Sequence, residues 1–189
     1  MISGINTIQV VFVVETNPFV RSDNAYIVWL LKKSFEQYIV PEKCSELLIL
    51  YDFVYMDGKQ NYCKRNVKND IKDKKDSFPN GNTYIVYCID IDTKGKDDLL
   101  LIKDIFEFTK TNGYFLIVSY KEIEDVVKAP SGNSKHERVK RFLNNYPKKE
   151  SVDERCLLIP FDVIAGQIGK TNFNLVINEI IAKEKNKKK

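Results

Sequence analysis

Acidic residues follow three apolar segments of this sequence, each at the point where the segment ends. The segments are short and rich in β-branched and aromatic residues, which is typical of buried strands. The acidic residues are Glu15 after residues 8–14 (IQVVFVV), Asp90 and Asp92 after residues 83–89 (TYIVYCI), and Glu122 and Glu124 after residues 114–118 (YFLIV). Because sites in open α/β sheets form beyond the carboxyl ends of the strands, we expect these side chains at one edge of a sheet.

Carboxylates gathered in this way indicate chemistry with a hard cation. Asp90 and Asp92 are one residue apart, so both can reach the same ion if the chain turns there. Magnesium prefers a few carboxylates together with water and phosphate oxygens, whereas carboxylates without a cation repel one another. The sequence therefore predicts a site for Mg²⁺ or Mn²⁺. The alternative is that Asp90 and Asp92 are loop caps and that Glu122 and Glu124 are solvated residues in the first turn of a helix.

The apolar segments alternate with helical patterns along the chain. Two further strands are predicted at residues 47–56 and 156–159, which makes five strands in all. Helices are predicted after a cap at Ser22 or Asp23, weakly in residues 64–77, from Asp97 to a cap at Gly113, around residues 139–143, and around residues 173–180. This order predicts an α/β fold with a mostly parallel central sheet flanked by helices on both faces. We expect strands one and three to be neighbours.

One domain accounts for all 189 residues, because no repeat, linker or low-complexity block divides the chain. The composition is that of a globular protein, with 43% hydrophobic and 30% charged residues. The apolar runs are far too short to cross a bilayer, and the first residues lack the features of a signal peptide. We therefore expect a cytoplasmic protein without membrane contact, whose four widely spaced cysteines are free thiols.

The acidic motifs resemble those of the TOPRIM domain, which occurs in topoisomerases, bacterial primases, recombination mediator proteins and stand-alone nucleases. That family has a glutamate after its first strand and a DxDxxG motif after its third. The segment VVFVVET supplies Glu15, and IVYCIDIDTKG supplies Asp90, Asp92 and Gly95. The resemblance covers residues 8–126 and leaves residues 127–182 as a C-terminal strand and helices, followed by a basic tail at residues 183–189.

The resemblance implies a TOPRIM-like fold in which Asp90 and Asp92 hold magnesium. It also implies that Glu15 takes part in acid–base chemistry or metal binding, with Glu122 or Glu124 as a further acidic group. Thr16 departs from the family, which commonly has glycine after its glutamate. The chain also lacks the additional domains and nucleophilic tyrosine of topoisomerases and the zinc-binding module of primases.

The motifs favour two functions over a third. The first is a stand-alone, divalent-metal-dependent nuclease that cleaves nucleic-acid phosphodiesters, an activity associated in this family with phage defence. The second is a non-catalytic interaction or regulatory module of the same fold, acting as a homo-oligomer or with a protein partner. A phosphate- or nucleotide-binding enzyme of another α/β family is a third alternative, which the missing glycine-rich loops disfavour.

Basic residues near the acidic motifs indicate DNA or RNA as the partner. The net charge is only +4, but lysines cluster in residues 64–75 and in the C-terminal tail. Such patches attract phosphate backbones. The alternative is that they are only a solvated helix face and a frayed tail, and the aspartates interleaved with the lysines favour this alternative. The residues that we expect to contact nucleic acid are Arg21, Lys94, Lys121, Lys135, His136 and Arg138.

Overall fold

A four-stranded parallel sheet forms the centre of the molecule in this computed structural model, which describes residues 6–37, 47–91, 96–145, 154–160 and 168–187. The strands are β1 (Asn6–Val14), β2 (Leu47–Tyr55), β3 (Asn82–Ile91) and β4 (Phe115–Tyr120). Their order is β2-β1-β3-β4, and every neighbouring pair is parallel. The predicted α/β class and the pairing of strands one and three are therefore confirmed.

Helices cover both faces of this sheet. In the described residues they are α1 (Ser22–Gln37), α2 (Arg65–Asp76), α3 (Lys96–Thr111), α4 (Ile123–Val126), α5 (Lys135–Asn145) and α6 (Phe173–Asn186). Side chains alternate along β1, so that Phe12 packs on the side of α1, α5 and α6, while Val11 and Val13 pack on the side of α2 and α3. Both faces of β1 are buried, which explains its uninterrupted apolar sequence.

The predicted fifth strand at residues 156–159 is wrong. A 3₁₀ turn (Glu154–Cys156) occupies its start, and after it Leu157 and Ile159 form backbone hydrogen bonds with Asn174 and Thr171. The edge of β4 is completed instead by the side chain of Asn172, which accepts a hydrogen bond from the backbone N–H of Val118 at 2.8 Å and donates one to the carbonyl of Leu116 at 2.9 Å. The backbone of Gly169 and Lys170 pairs with Tyr120 at the end of the same edge, so a side-chain amide and a short antiparallel bridge together take the place of a fifth strand.

The end of α3, the cysteines and the lengths of the helices also bear on the sequence predictions. Gly113 follows α3 with φ of 67°, the left-handed conformation expected of a helix-ending glycine. Three of the four cysteines are free thiols, and Cys44 lies outside the described residues. None of the helices in the described part of the chain has the length and apolar character to span a membrane.

One buried carboxylate anchors α6 to the amino-terminal edge of the sheet. Glu184 is 3% exposed and accepts hydrogen bonds from the Tyr84 hydroxyl and from the side-chain amides of Asn6 at 2.9 Å and Asn82 at 3.1 Å. The Lys187 ammonium lies 3.2 Å from it. Burial alone would raise the pKa of Glu184, but these hydrogen bonds outweigh burial and the pKa is lowered.

Glu184→Gln is expected to lower the free energy of unfolding by about 1–2 kcal/mol at neutral pH, since charge-assisted hydrogen bonds become neutral ones. Because the folded pKa lies below the unfolded pKa, the carboxylate stabilises fully above the unfolded pKa, and this contribution disappears as pH falls through the folded pKa. Urea denaturation at neutral and acidic pH measures both effects. The control Glu179→Gln removes only an exposed pair with Lys183 and should cost at most about 0.5 kcal/mol. Equal losses in the two variants would contradict the prediction.

Candidate functional site: an acidic crevice at the sheet switch point

The connections that follow β1 and β3, two neighbouring strands, lead to opposite sides of the sheet. The connection after β1 leads to β2 on one side, and the connection after β3 leads to β4 on the other. This divergence opens a crevice beyond the carboxyl ends of the two strands, where ligands bind in open α/β sheets. Glu15 directly follows β1, and Asp90 lies at the end of β3, so the topology places both at the crevice.

Glu15 and Asp90 are in direct contact. The backbone N–H of Asp90 donates a hydrogen bond to Glu15 Oε1 at 2.6 Å, while the Glu15 carbonyl accepts one from Gly58 at 2.7 Å. Burial and the neighbouring Glu15 carboxylate raise the pKa of Asp90 well above the ordinary aspartate value. The Glu15 carboxylate at the neighbouring strand end therefore helps to destabilise the charge of Asp90.

Asp23 is a third carboxylate at the crevice, which the sequence indicated only as a helix cap. It is 7% exposed, and the Ser22 hydroxyl donates a hydrogen bond to its Oδ1 at 3.1 Å. Burial raises the pKa of Asp23, whose charge in turn helps to raise the pKa of Asp90. A cavity of about 10 Å³, enough for a single water molecule, lies among residues that include Glu15, Asp23, Asp90 and Ser119.

Glu124 adds a carboxylate that is buried beside this crevice. It is 4% exposed, and neither carboxylate oxygen has a hydrogen-bond partner among the residues that the structure describes. Burial raises the pKa of Glu124, and Nη2 of Arg138 lies 3.9 Å from its Oε1. The other arm of Arg138 donates to Glu122 Oε2 at 3.0 Å. The alternative that both glutamates are solvated is therefore wrong for Glu124, whereas Glu122 is partly exposed just before α4.

Lys135, at the start of α5, belongs electrostatically to the same cluster. Burial alone would lower the pKa of this half-buried lysine, but nearby carboxylates outweigh burial and raise it. Those carboxylates are Glu124, Asp23, Asp90 and Glu122, in decreasing order of effect. The crevice thus combines an excess of carboxylates with two cations, Lys135 and Arg138.

The remaining predicted residues lie on the surface or outside the described part of the chain. Arg21, Lys121 and His136 are exposed. The backbone N–H of Lys121 donates to the carbonyl of Ile91 at 3.1 Å, which places this residue beside the end of β3. Asp92 and Lys94 fall outside the described residues, so their places in the site stay predictions.

A buried lysine supports the end of β3 and was missed by the sequence analysis. Lys59 Nζ donates to the carbonyl of Asp90 at 2.8 Å and pairs with Asp98 Oδ1 at 2.8 Å. It therefore ties the last residues of β3 to the start of α3. A lysine in a polar turn gives no sequence signal that distinguishes this role from a solvated surface residue.

The described residues do not by themselves form a complete metal site. Within the described ranges, no three His, Cys, Asp or Glu side chains converge closely enough to hold an ion. Glu15 and Asp90 are adjacent, and the predicted third ligand, Asp92, lies outside those ranges. Comparison with known proteins adds no further assignment, because no family model, curated protein or solved structure matches this chain.

Proposed function

We propose that this chain is a divalent-cation-dependent enzyme that cleaves the phosphodiester bonds of nucleic acid. The observation that carries the proposal is the contact between Glu15 and Asp90, joined by a hydrogen bond of 2.6 Å at the switch point of the sheet. Carboxylates attract a metal ion, and the neighbouring Lys135 and Arg138 attract phosphate. A site that holds a phosphodiester beside a metal ion needs carboxylates for the ion and positively charged side chains for the phosphate.

The chemistry of the crevice fits Mg²⁺ or Mn²⁺. Burial and the Glu15 carboxylate raise the pKa of Asp90, and within the described residues the carboxylate oxygens of buried Glu124 accept no hydrogen bond. A bound cation would stabilise the charge of both groups. Glu15, Asp90 and Asp92 would hold the ion. When bound, such an ion activates a water molecule near neutral pH and stabilises the charge of the leaving oxygen.

The chain's own residues would position the substrate and the metal ligands. Arg138, held by Glu122, and Lys135 lie on the α5 side of the crevice, where they would orient a phosphate group. Lys59 fixes the carbonyl of Asp90 and so maintains the end of β3 next to Glu15. Glu15 Oε1 stays close to the same strand through the Asp90 N–H.

A non-catalytic interaction module is the second candidate. Its specific support is that the protein already provides partners for several charged groups of the crevice: Asp90 N–H for Glu15 and Glu122 for Arg138. Such a module would bind nucleic acid or another protein, including a second copy of this chain, without cleaving it.

Millimolar Mg²⁺ or Mn²⁺ is expected to raise the melting temperature. Binding only to the folded state stabilises it by about 2.7 kcal/mol when the ion is at roughly 100 times its Kd. Asp90→Asn should remove this shift while preserving shape, and Asp70→Asn on the exposed surface of α2 should keep it. Differential scanning calorimetry with and without an oligonucleotide measures the effect. No shift in either condition would reject the metal-dependent site.

Cleavage of end-labelled DNA and RNA tests the function itself. We expect cleavage that requires the divalent ion and weakens steeply with added salt, because phosphate contacts release counterions. Binding without cleavage in either metal would support the interaction module. Failure both to bind and to cleave would overturn the nucleic-acid assignment.

A further inference from the structure

Phe19 has the most exposed large apolar side chain in the described part of the chain, at 94%. The next, Leu100, is 60% exposed and belongs to a helix surface. Single exposed apolar residues are common on proteins, but an aromatic ring that touches almost nothing is a costly feature to display. Phe19 lies in the connection between β1 and α1, which carries Glu15 at one end and Asp23 just beyond the other.

The loop around Phe19 is held by its own hydrogen bonds. Asn17 Oδ1 accepts from the backbone N–H groups of Phe19 and Val20, both at 3.0 Å. Arg21 Nε donates to the carbonyl of Pro18 at 2.7 Å, and the proline ring limits the backbone further. The exposed ring is therefore presented by an ordered turn.

This turn places an aromatic ring and a guanidinium group close to the acidic crevice. Phe19 follows Glu15 by four positions, and a chain of that length spans at most about 14 Å even when extended. Arg21 is exposed two residues after Phe19. Both side chains can thus contact an oligonucleotide whose phosphate lies at Glu15 and Asp90.

We propose that Phe19 stacks on an unpaired nucleobase while Arg21 contacts a neighbouring phosphate, so that the ligand of the crevice is single-stranded nucleic acid. This inference rests on the proposed function and specifies its substrate class. Aromatic rings stack on the faces of unpaired bases of any sequence, whereas the bases of a duplex already stack on one another. A protein partner is less well matched, since an aromatic anchor in a protein interface is normally surrounded by residues that exclude water.

The test measures binding of a fluorescent, cleavage-resistant phosphorothioate oligothymidylate and of a matching duplex. Phe19→Ala should weaken binding of the single strand by roughly 10-fold, as expected for loss of one stacked base. Phe19→Trp should bind the single strand about as tightly as the parent protein, and the fluorescence of the new indole should be quenched on binding. The control Leu100→Ala removes an exposed apolar side chain from α3 and should leave the affinity unchanged.

Each other outcome has a definite meaning. If the parent protein binds the single strand and Phe19→Ala binds equally well, the stacking inference fails while the proposed function stands. A parent protein that prefers the duplex also overturns the inference. If the parent binds neither oligonucleotide with or without Mg²⁺, the proposed function itself fails. Because Phe19 is almost fully exposed, its replacement should leave the melting temperature unchanged.

Discussion

Glu15→Gln is expected to lower the rate of metal-dependent cleavage by at least about 100-fold. The glutamine oxygen can still accept the hydrogen bond from the Asp90 N–H, so the local structure should persist. The negative charge that would hold the ion is lost, however, and removal of one preorganised group that stabilises the transition state typically costs 10²–10³-fold in rate. Single-turnover cleavage at saturating metal separates this effect from weaker substrate binding.

The matched control is Glu107→Gln on the exposed surface of α3. It removes an equal charge from a residue that is well separated in sequence from Glu15 and Asp90. It should retain full activity. Thermal melting of both variants checks that they are folded. Full activity of Glu15→Gln would contradict the proposed role of the crevice, whatever the metal dependence of the parent protein.

Most of the sheet was predictable from the sequence because β1, β3 and β4 are buried on both faces. β1 and β3 are runs of apolar residues too short for helices, and helical spacing between strands implied parallel crossovers. Parallel strands bring their carboxyl ends to one edge, so the approach of Glu15 to Asp90 followed from chain order alone. Their contact at 2.6 Å is the detail that only the structure supplies.

The error at residues 156–159 has a physical cause. A short apolar segment packs equally well as a strand or as an irregular chain, and Leu157 is fully buried here without a strand ladder. Part of the edge of β4 is satisfied by the amide of Asn172, which looks like an ordinary loop residue in the sequence, and the rest by a short bridge at Thr171. Side-chain substitutes for backbone pairing leave no periodic pattern.

The sequence did not predict the burial of Asp23, Lys59 and Glu124, because it depends on which charged side chains the folded chain encloses. Asp23 has the sequence signal of a helix cap. The short connection between Glu15 and Asp23 is the sequence feature that indicates a shared crevice. Lys59 and Glu124 are charged residues in polar segments, which normally indicates solvent exposure. Both are nevertheless buried, Lys59 in a 3₁₀ turn after β2 and Glu124 in the short helix α4 after β4.

Lys59→Met is expected to lower the free energy of unfolding by about 3 kcal/mol. Methionine preserves the volume of the lysine stem but leaves the Asp98 carboxylate without its partner at 2.8 Å and the Asp90 carbonyl without its donor. Breaking a buried ion pair by removing one member costs about 3–5 kcal/mol, and the slight exposure of this pair places the expected value at the lower end. Urea denaturation measures the loss.

A comparison with other variants identifies the buried charge as the cause. Lys74→Met breaks a more exposed pair with Asp52 and should cost at most about 1 kcal/mol. Adding Asp98→Asn to Lys59→Met should recover part of the stability, because the unpaired carboxylate is then removed. Lys59→Met should also reduce the metal-induced rise in melting temperature, since the end of β3 loses the contact that holds it beside Glu15. If Lys59→Met costs no more than Lys74→Met, Lys59 does not have this supporting role.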